Sequence, residues 1–522
     1  MSHPTRTAPR LALTLVLTLV LTSTATVVLV ALPTVTAATA APRPVKAGLQ
    51  QLPLTAGGPT GGFRTSSAGE RTLLSHRRTT RPFSLMGVTW SPDPAVGEVE
   101  VQVRHRSGGR WSDWEPVAAG HDDGPDAGSA DTRSRRLRAG TVPIWTGRSD
   151  GVQVQVEASD GAAPRDVRIE LVDPGRSAAD ASVAGVPAPR STAHAEEPAP
   201  AIISRAQWGA DESLRTEAPS YTAPPRVGFV HHTASSNDYT ADQAAAMVRG
   251  IYAYHVRSNG WSDIGYNVLV DRFGRAYEGR AGGLDRFVLG AHTGGFNRDS
   301  FGVSLLGDFS TVPPSARTLD TLTDVLAWKL GQAYREPTGT AVLASAGGGT
   351  SRYAAGQTAT FDVISGHRDA GQTSCPGATT YARMGQIREQ VSAKLGLGFV
   401  GPELGATRYA TGSSDPVVLR SATRGPVSWT ATVSDREGNL LQSRSGTAGP
   451  DSTISTSWDL QDATGQPVPT GTYLVRLTGS GAGDRALPWS SEVVVGAVAC
   501  RGTPLQRAAC LASRRAPVVG TG

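Results

Sequence analysis

The period of the hydrophobic pattern changes twice along this chain, and that change constrains its fold more than any single motif. Val99, Val101 and Val103 alternate with Glu100, Gln102 and Arg104, and Val152, Val154 and Val156 alternate with Gln153 and Gln155. Val167, Ile169 and Leu171 repeat the pattern. Alternation by two puts the apolar side chains on one face of a strand. Gly, Asp and Pro bound each run, so residues 83–173 are predicted to form a small antiparallel β-sandwich-like domain. The same signature returns past residue 400, in Val427, Trp429, Ala431 and Val433 and in Tyr473, Val475 and Leu477, and predicts a second such domain over 405–497. Between the two, over 201–398, strands alternate with helices. Val227–Val230 is a short buried strand that delivers His231, Asp242–Val256 reads as an amphipathic helix capped by Thr240, and Thr318–Tyr334 is a second helix. Further strands are expected at Tyr266–Val270, Arg275–Gly279 and Gly302–Leu306, so the middle domain is α/β, a sheet covered by helices. The Gly- and Ala-rich stretch around 337–360 reads as a surface insertion.

The segments around these domains read differently. Arg6 and Arg10 precede an apolar stretch from Leu11 to Leu32, and Ala38-Thr39-Ala40 offers a cleavage site, so 1–40 are predicted to be a signal peptide and the protein to be secreted. The stretch is long enough that an uncleaved anchor is the alternative. Residues 41–82 and 174–200, rich in Pro, Gly, Ala, Ser and Thr, read as linkers. The net charge of +5 is small for 522 residues and gives no case for nucleic acid, which needs a concentrated basic face. Local arginine runs, at Arg77-Arg78 with Arg81 and from Arg133 to Arg138, read as solvated linker or as loose attraction to an anionic polymer. Trp111 and Trp114 read as core or edge aromatics, with a sugar-stacking platform as the functional alternative. Of the three cysteines, Cys500 and Cys510 lie close together in the 498–522 tail and are expected to pair, as export permits. Cys375 is then left alone, and a metal is the obvious occupant of its sulfur.

That thiol belongs to a pair of clusters, His231-His232-Thr233 and Gly366-His367-Arg368-Asp369 followed by Cys375-Pro376-Gly377. Together they read as a split zinc site. Three protein ligands leave a tetrahedral zinc one open corner for a reactive water, whereas four would make a structural clip. His231 and His232 cannot both face one side of a strand, and spacing does not say which binds. Tyr266 opens a strand after the loop Trp261–Gly265 and is a candidate donor to an oxyanion. His255 reads as an ordinary core histidine.

The runs ISRAQWGA, VHHTA, GWSDIGYNVLVDRFGRAYEGR, GAHTGGFNRDSFGVSLLGDF and ISGHRDAGQTSCPG occur in one order between Ile202 and Leu397. In these the chain resembles the type-2 amidases, the zinc amidases of the peptidoglycan recognition protein and bacteriophage lysozyme type. The resemblance implies a mixed sheet, Zn2+ as cofactor, peptidoglycan muramyl peptides as substrate, and N-acetylmuramoyl-L-alanine amidase activity. It implies His231, His367 and Cys375 as metal ligands and Tyr266 and Thr373 as catalytic residues. Thr373 falls where some members carry a lysine, so that positive charge is missing here. His232, His292 and Asn297 are implied on the substrate side, with His292 either touching substrate or supporting a ligand from behind. A recognition protein that binds peptidoglycan without cleaving it is the rival reading, although relatives of that kind commonly replace the cysteine. The run WDLQDATGQPVPTGTYLVRL makes the 405–497 domain similar to immunoglobulin-like modules of secreted bacterial proteins.

Overall fold

A computed structural model describes residues 43–54, 64–65, 71–118, 123–134, 136–159, 161–186, 200–348 and 351–496. The expected signal peptide and the Cys500–Cys510 pair lie outside the described residues. The N-terminal sheet runs in the order Gly48–Leu54, Val167–Asp173, Arg78–Trp90, Ile144–Ala158, Arg71–Leu74, Arg64–Thr65, and Val99–Ser107 also pairs with Ile144–Ala158. All of these pairings are antiparallel.

Two stretches expected as linker are instead structured. Within 41–82, Gly48–Leu54 pairs along its whole length with Val167–Asp173, and Arg71–Leu74 pairs with Ile144–Ala158. Leu52 and Leu54 join the interior of the β domain, while Leu49, of opposite parity, packs against a helix of the central domain. This edge strand leaves Gly48, Gln51 and Pro53 exposed and buries only Leu54, so it carries too few apolar residues to show the alternation by which strands are read. Within 174–200, Ala179–Ala184 is a short helix with Val183 buried. Its Asp180 takes two hydrogen bonds of 2.8 Å from the buried Arg249 guanidinium.

The central sheet has the order Ile202–Ile203, Ala276–Glu278, Val268–Val270, Ser300–Leu305, Val227–His232, Ile364–Gly366. Val227–His232 lies parallel to both of its neighbours, whereas Val268–Val270 and Ala276–Glu278 are antiparallel, so the sheet is mixed. One apolar layer holds the helices Ala316–Gln332 and Met384–Leu395 against the sheet through Leu322, Val325, Leu326, Ile387 and Val391. The other is built on the helix Ala244–Arg257, which is buried all round because the β domain covers its outer side with Leu85, Trp145 and Val172. Gly87 lets the β strand approach closely, since a side chain there would run into the Tyr254 ring. Ser315, accepting from Thr318 N, caps the Ala316–Gln332 helix, but Thr240 caps none: it bonds within the turn that precedes Ala244. The stretch 337–360 contains an antiparallel hairpin, Thr340–Ala344 with Thr358–Asp362, whose Leu343 and Phe361 pack on Phe229 and Phe296.

The C-terminal region has two layers, Gly398–Leu404 with Val417–Arg424 and Thr453–Trp458, and a five-stranded sheet centred on Val427–Ser434 and Gly471–Gly481, antiparallel except where Arg408–Tyr409 pairs in parallel with Asp484–Val495. Val427, Ala431, Val433, Tyr473, Val475 and Leu477 face a common core, as their alternation predicts. Arg424, bonded to Gly396 O and to Glu336, ties this region to the central domain.

Candidate metal centre

His231 stands at the end of the parallel strand Val227–His232, and the neighbouring strand Ile364–Gly366 hands over to His367 in a single 3-10 turn. Parallel neighbours end on the same side of a sheet, so two residues far apart in sequence meet there. The loop beyond His367 is closed by Arg368 N donating to Cys375 O at 2.9 Å, which returns Cys375 to the histidines. The ligand-type atoms of His231, His367 and Cys375 all lie within 4.8 Å of one another, and all three residues are buried. Cys375 Sγ is 3.8 Å from His231 Nδ1 and accepts from His232 N at 3.3 Å.

Burial pushes both imidazoles down to about 3, so they are neutral and offer lone pairs at physiological pH. Neither ring nitrogen of His367 has a hydrogen-bond partner among the described residues. A buried imidazole without a hydrogen bond is costly, and a divalent ion would satisfy it. Two neutral imidazoles and one thiolate suit zinc.

The surrounding residues divide between support and site. His292 is fully buried with its Nδ1 3.2 Å from His231 Nε2, and burial together with the neighbouring histidines holds it well below its ordinary value. It therefore lies against the His231 ring on its Nε2 side, where it can orient that ring, the supporting alternative expected for it. Gly302 leaves room for it: a Cβ there would meet the His292 ring. His232, expected on the substrate side, is buried, and its ring accepts from Phe309 N at 3.3 Å. His255, as expected, is a core residue, accepting from Gly265 N and packed on Trp261 and Tyr266. Thr373 is half-buried, and its hydroxyl oxygen accepts from Cys375 N at 3.0 Å, shaping the turn that presents the thiol.

Tyr266 lies 5.6 Å from His231 between ring centroids. Its hydroxyl donates to Asp123, a residue of the N-terminal β domain that no sequence pattern singled out. The other oxygen of Asp123 is 3.1 Å from His231 Nδ1 and 3.4 Å from His367 Nδ1. Burial, then the Asp123 carboxylate, raises the Tyr266 phenol well above its ordinary value, so it stays protonated. Asn297, expected along the groove, uses its side-chain carbonyl for His292 N and Thr293 N and its amide nitrogen for Gly124 O and Asp126. The only sequence sign of these aspartates is the run Asp122-Asp123-Gly124-Pro125-Asp126, which has the composition of an ordinary turn.

The arginine run that follows is partly committed within the protein. Arg138 ion-pairs with Asp166 at 2.7 Å and bonds Thr89. Trp111 and Trp114 are half-buried at the edge of the β domain, with the Arg104 guanidinium over both rings.

Residues 34–185 match a family described as Rv3811 N-terminal galactose-binding domain-like, and residues 221–378 match N-acetylmuramoyl-L-alanine amidase. Peptidoglycan-recognition protein SC2 of Drosophila simulans is 31% identical over 181 residues, which span 34% of this chain and 82% of that protein. Peptidoglycan recognition protein 1 of Bos indicus is 32% identical over 181 residues, 34% of this chain and 80% of that protein. Among solved structures, human PGRP-IBETAC in complex with glycosamyl muramyl pentapeptide is 28% identical, covers 35% of this chain and 92% of its own, and has a TM-score of 0.27.

Proposed function

This chain belongs to the peptidoglycan recognition protein family, and from that premise we propose that it is a zinc-dependent N-acetylmuramoyl-L-alanine amidase. The bond cleaved is the amide between the lactyl group of N-acetylmuramic acid and L-alanine of the stem peptide. The reading rests on one observation above all: two neutral histidines and a thiol converge at the strand ends, with both His367 nitrogens unsatisfied among the described residues. That the relatives are named for recognising peptidoglycan supports a muramyl peptide as the substrate. Arg6, Arg10 and the apolar run after them support export of the protein from the cytoplasm. Among the described residues no helix is long and apolar enough to cross a membrane.

His231, His367 and Cys375 would hold the ion, and His292 would fix the His231 ring so that Nδ1 faces it. Zinc bound there supplies Lewis acidity, polarising a carbonyl oxygen and lowering the pKa of a coordinated water to about 7. Tyr266, kept protonated, donates to the oxyanion that develops on the scissile carbonyl, a contribution of about 3 kcal/mol to the barrier. Thr373, beside the thiol, is the second proposed donor. In a family position where a lysine is absent, Tyr266 carries the larger share.

Metal content by elemental analysis, paired with mass spectrometry of digested peptidoglycan, tests the reading. The zinc-loaded protein, and an Asp123→Ala variant because Asp123 lies against the ligands, should release stem peptides with a free L-alanine amine. His231→Ala and Cys375→Ala should lose both metal and release while keeping the circular dichroism of the parent. Metal-loaded protein and variant that both bind peptidoglycan and leave it intact would make this a binding protein.

A further inference from the structure

We infer that Asp123 is a fourth protein ligand of this metal centre, and that the segment 123–134 which carries it seals the groove, leaving the intact chain self-blocked. The inference rests on the zinc reading above and adds a regulation to it.

One carboxylate meets both parts of the proposed machinery. An oxygen of Asp123 lies against the Nδ1 atoms of His231 and His367, and the other accepts the Tyr266 hydroxyl proton. Aspartate is an ordinary zinc ligand, and a site with four protein ligands has no corner left for water or substrate. Tyr266, while it donates to Asp123, is likewise unavailable to an oxyanion.

The segment is anchored along its length, as a solvated turn would not be. Asp123, Asp126 and Asp131 are each buried, although burying a carboxylate is costly unless specific donors repay the lost hydration. Those donors are present. Asp126 accepts from Asn297 N at 3.1 Å, Asn297 Nδ2 at 2.8 Å and Arg298 N at 3.3 Å. Ala127 N donates to Gly347 O at 3.1 Å, at the end of the hairpin beside the groove. Asp131 accepts from Ser262 N and Oγ and pairs with Arg280 at 2.7 Å. Asn297, implied as a substrate-side residue, is thus spent on the chain's own backbone at Gly124.

The rest of the β domain is held in place beside the site. Trp145 N donates to Ser235 Oγ at 2.6 Å, just beyond the His231 strand, and Asp180 grips Arg249 on the far side of the same interface. A blocking group presented from so fixed a body has a high effective concentration, so substrate must displace it against an intramolecular competitor. Muramyl peptide enters only when 123–134 is lifted away or cut.

Cobalt(II) in place of zinc tests the ligand directly, because its visible absorption reports the ligand set, and azide serves as a probe for an open coordination position. The cobalt-loaded full chain should show no spectral change at azide concentrations that saturate Asp123→Ala and Asp123→Asn. Stem-peptide release should rise at least about tenfold in both variants, as expected if fewer than about one molecule in ten is open. An Asp126→Asn/Asp131→Asn double variant, which leaves Asp123 in place but removes its anchors, should gain azide sensitivity and release in the same direction. Azide shifting the spectrum of the full chain as readily as that of the variants, or release equal in all forms, overturns the inference. Failure of every form to take up cobalt overturns the zinc reading instead, so the two failures are distinct.

Discussion

Asp131→Asn is the sharpest probe of how 123–134 is held down. The Asp131 carboxylate accepts from Ser262 N and Oγ at 2.6 Å each and from Arg280 Nη2 at 2.9 and 2.7 Å. Burial acts to raise this carboxyl, but the Arg280 guanidinium and the Ser262 donors overcome it and hold it below the usual carboxylate range. Asparagine keeps the shape, removes the charge and turns an NH2 towards the guanidinium. Losing one partner of a buried, hydrogen-bonded charge pair costs about 2–5 kcal/mol. Both side chains here are only 7–8% exposed, which argues against the bottom of that range. Arg280, however, regains water once the segment lifts, so the loss falls on docking of the segment and not on the fold. A loss of about 3 kcal/mol lowers the closed-to-open ratio more than about 100-fold. Hydrogen exchange reads this at Asn297 and Arg298, whose amides are capped by Asp126 and lie away from the substituted residue. Their exchange should accelerate by the same factor, as protection tracks the open population. Exchange at Asn297 within about twofold of the parent would refute the reasoning, because Asp131 would then not be a latch.

Three further outcomes follow from the packing. Gly302→Ala pushes a methyl group into the His292 ring and should cost about 1–3 kcal/mol in urea denaturation while weakening zinc binding about 10- to 100-fold, since His292 orients His231; unchanged zinc affinity would remove His292 from that role. Asp180→Ala strands the Arg249 guanidinium between the domains and should cost about 3 kcal/mol, whereas Asp180→Leu with Arg249→Met should recover most of it, as replacing a buried pair by apolar groups is often neutral. Lys329 is pushed down to about 8 by burial, while the unfolded side chain titrates near about 10.4, so between those values the unfolded state holds more protons and stability rises with pH. Lys329→Met should lack that rise, and the gap between parent and variant denaturation midpoints should change between about pH 7.5 and pH 9.5.

Much of the fold was legible because it is written in local periodicity. The alternations at Val152–Val156 and Val427–Val433 mark strands, and the helices near 244 and 316 were placed within two residues or so of their ends. Gly48–Leu54 is not legible in the same way: it is an edge strand whose three leucines fall on both parities, with Gly48, Gln51 and Pro53 exposed, so no period of two survives. Thr240 looked like a cap because its residue type and position suit one, yet a further turn intervenes before Ala244.

At the site the division is the same. The donor set was legible because each of its members sits at a local boundary, the end of an apolar strand for His231 and His367, and because Cys375 was left over once the tail cysteines were paired. The choice between His231 and His232 followed from the family resemblance, and the structure gives its physical counterpart: the two rings leave opposite faces of one strand, and the Cys375 thiol meets His231. Tertiary structure alone decided what lies against that donor set. An aspartate in a Gly- and Ser-rich acidic run carries the pattern of a turn whether it is solvated or docked. Whether Asp123 reaches His231, some hundred residues later in the chain, depends on how two separately patterned domains pack, through Trp145, Val172 and the Arg249–Asp180 pair. Short-range pattern reports which face of an element is apolar; it does not say which other element covers that face, and the covering of the helix Ala244–Arg257 is what brings Asp123 against His231.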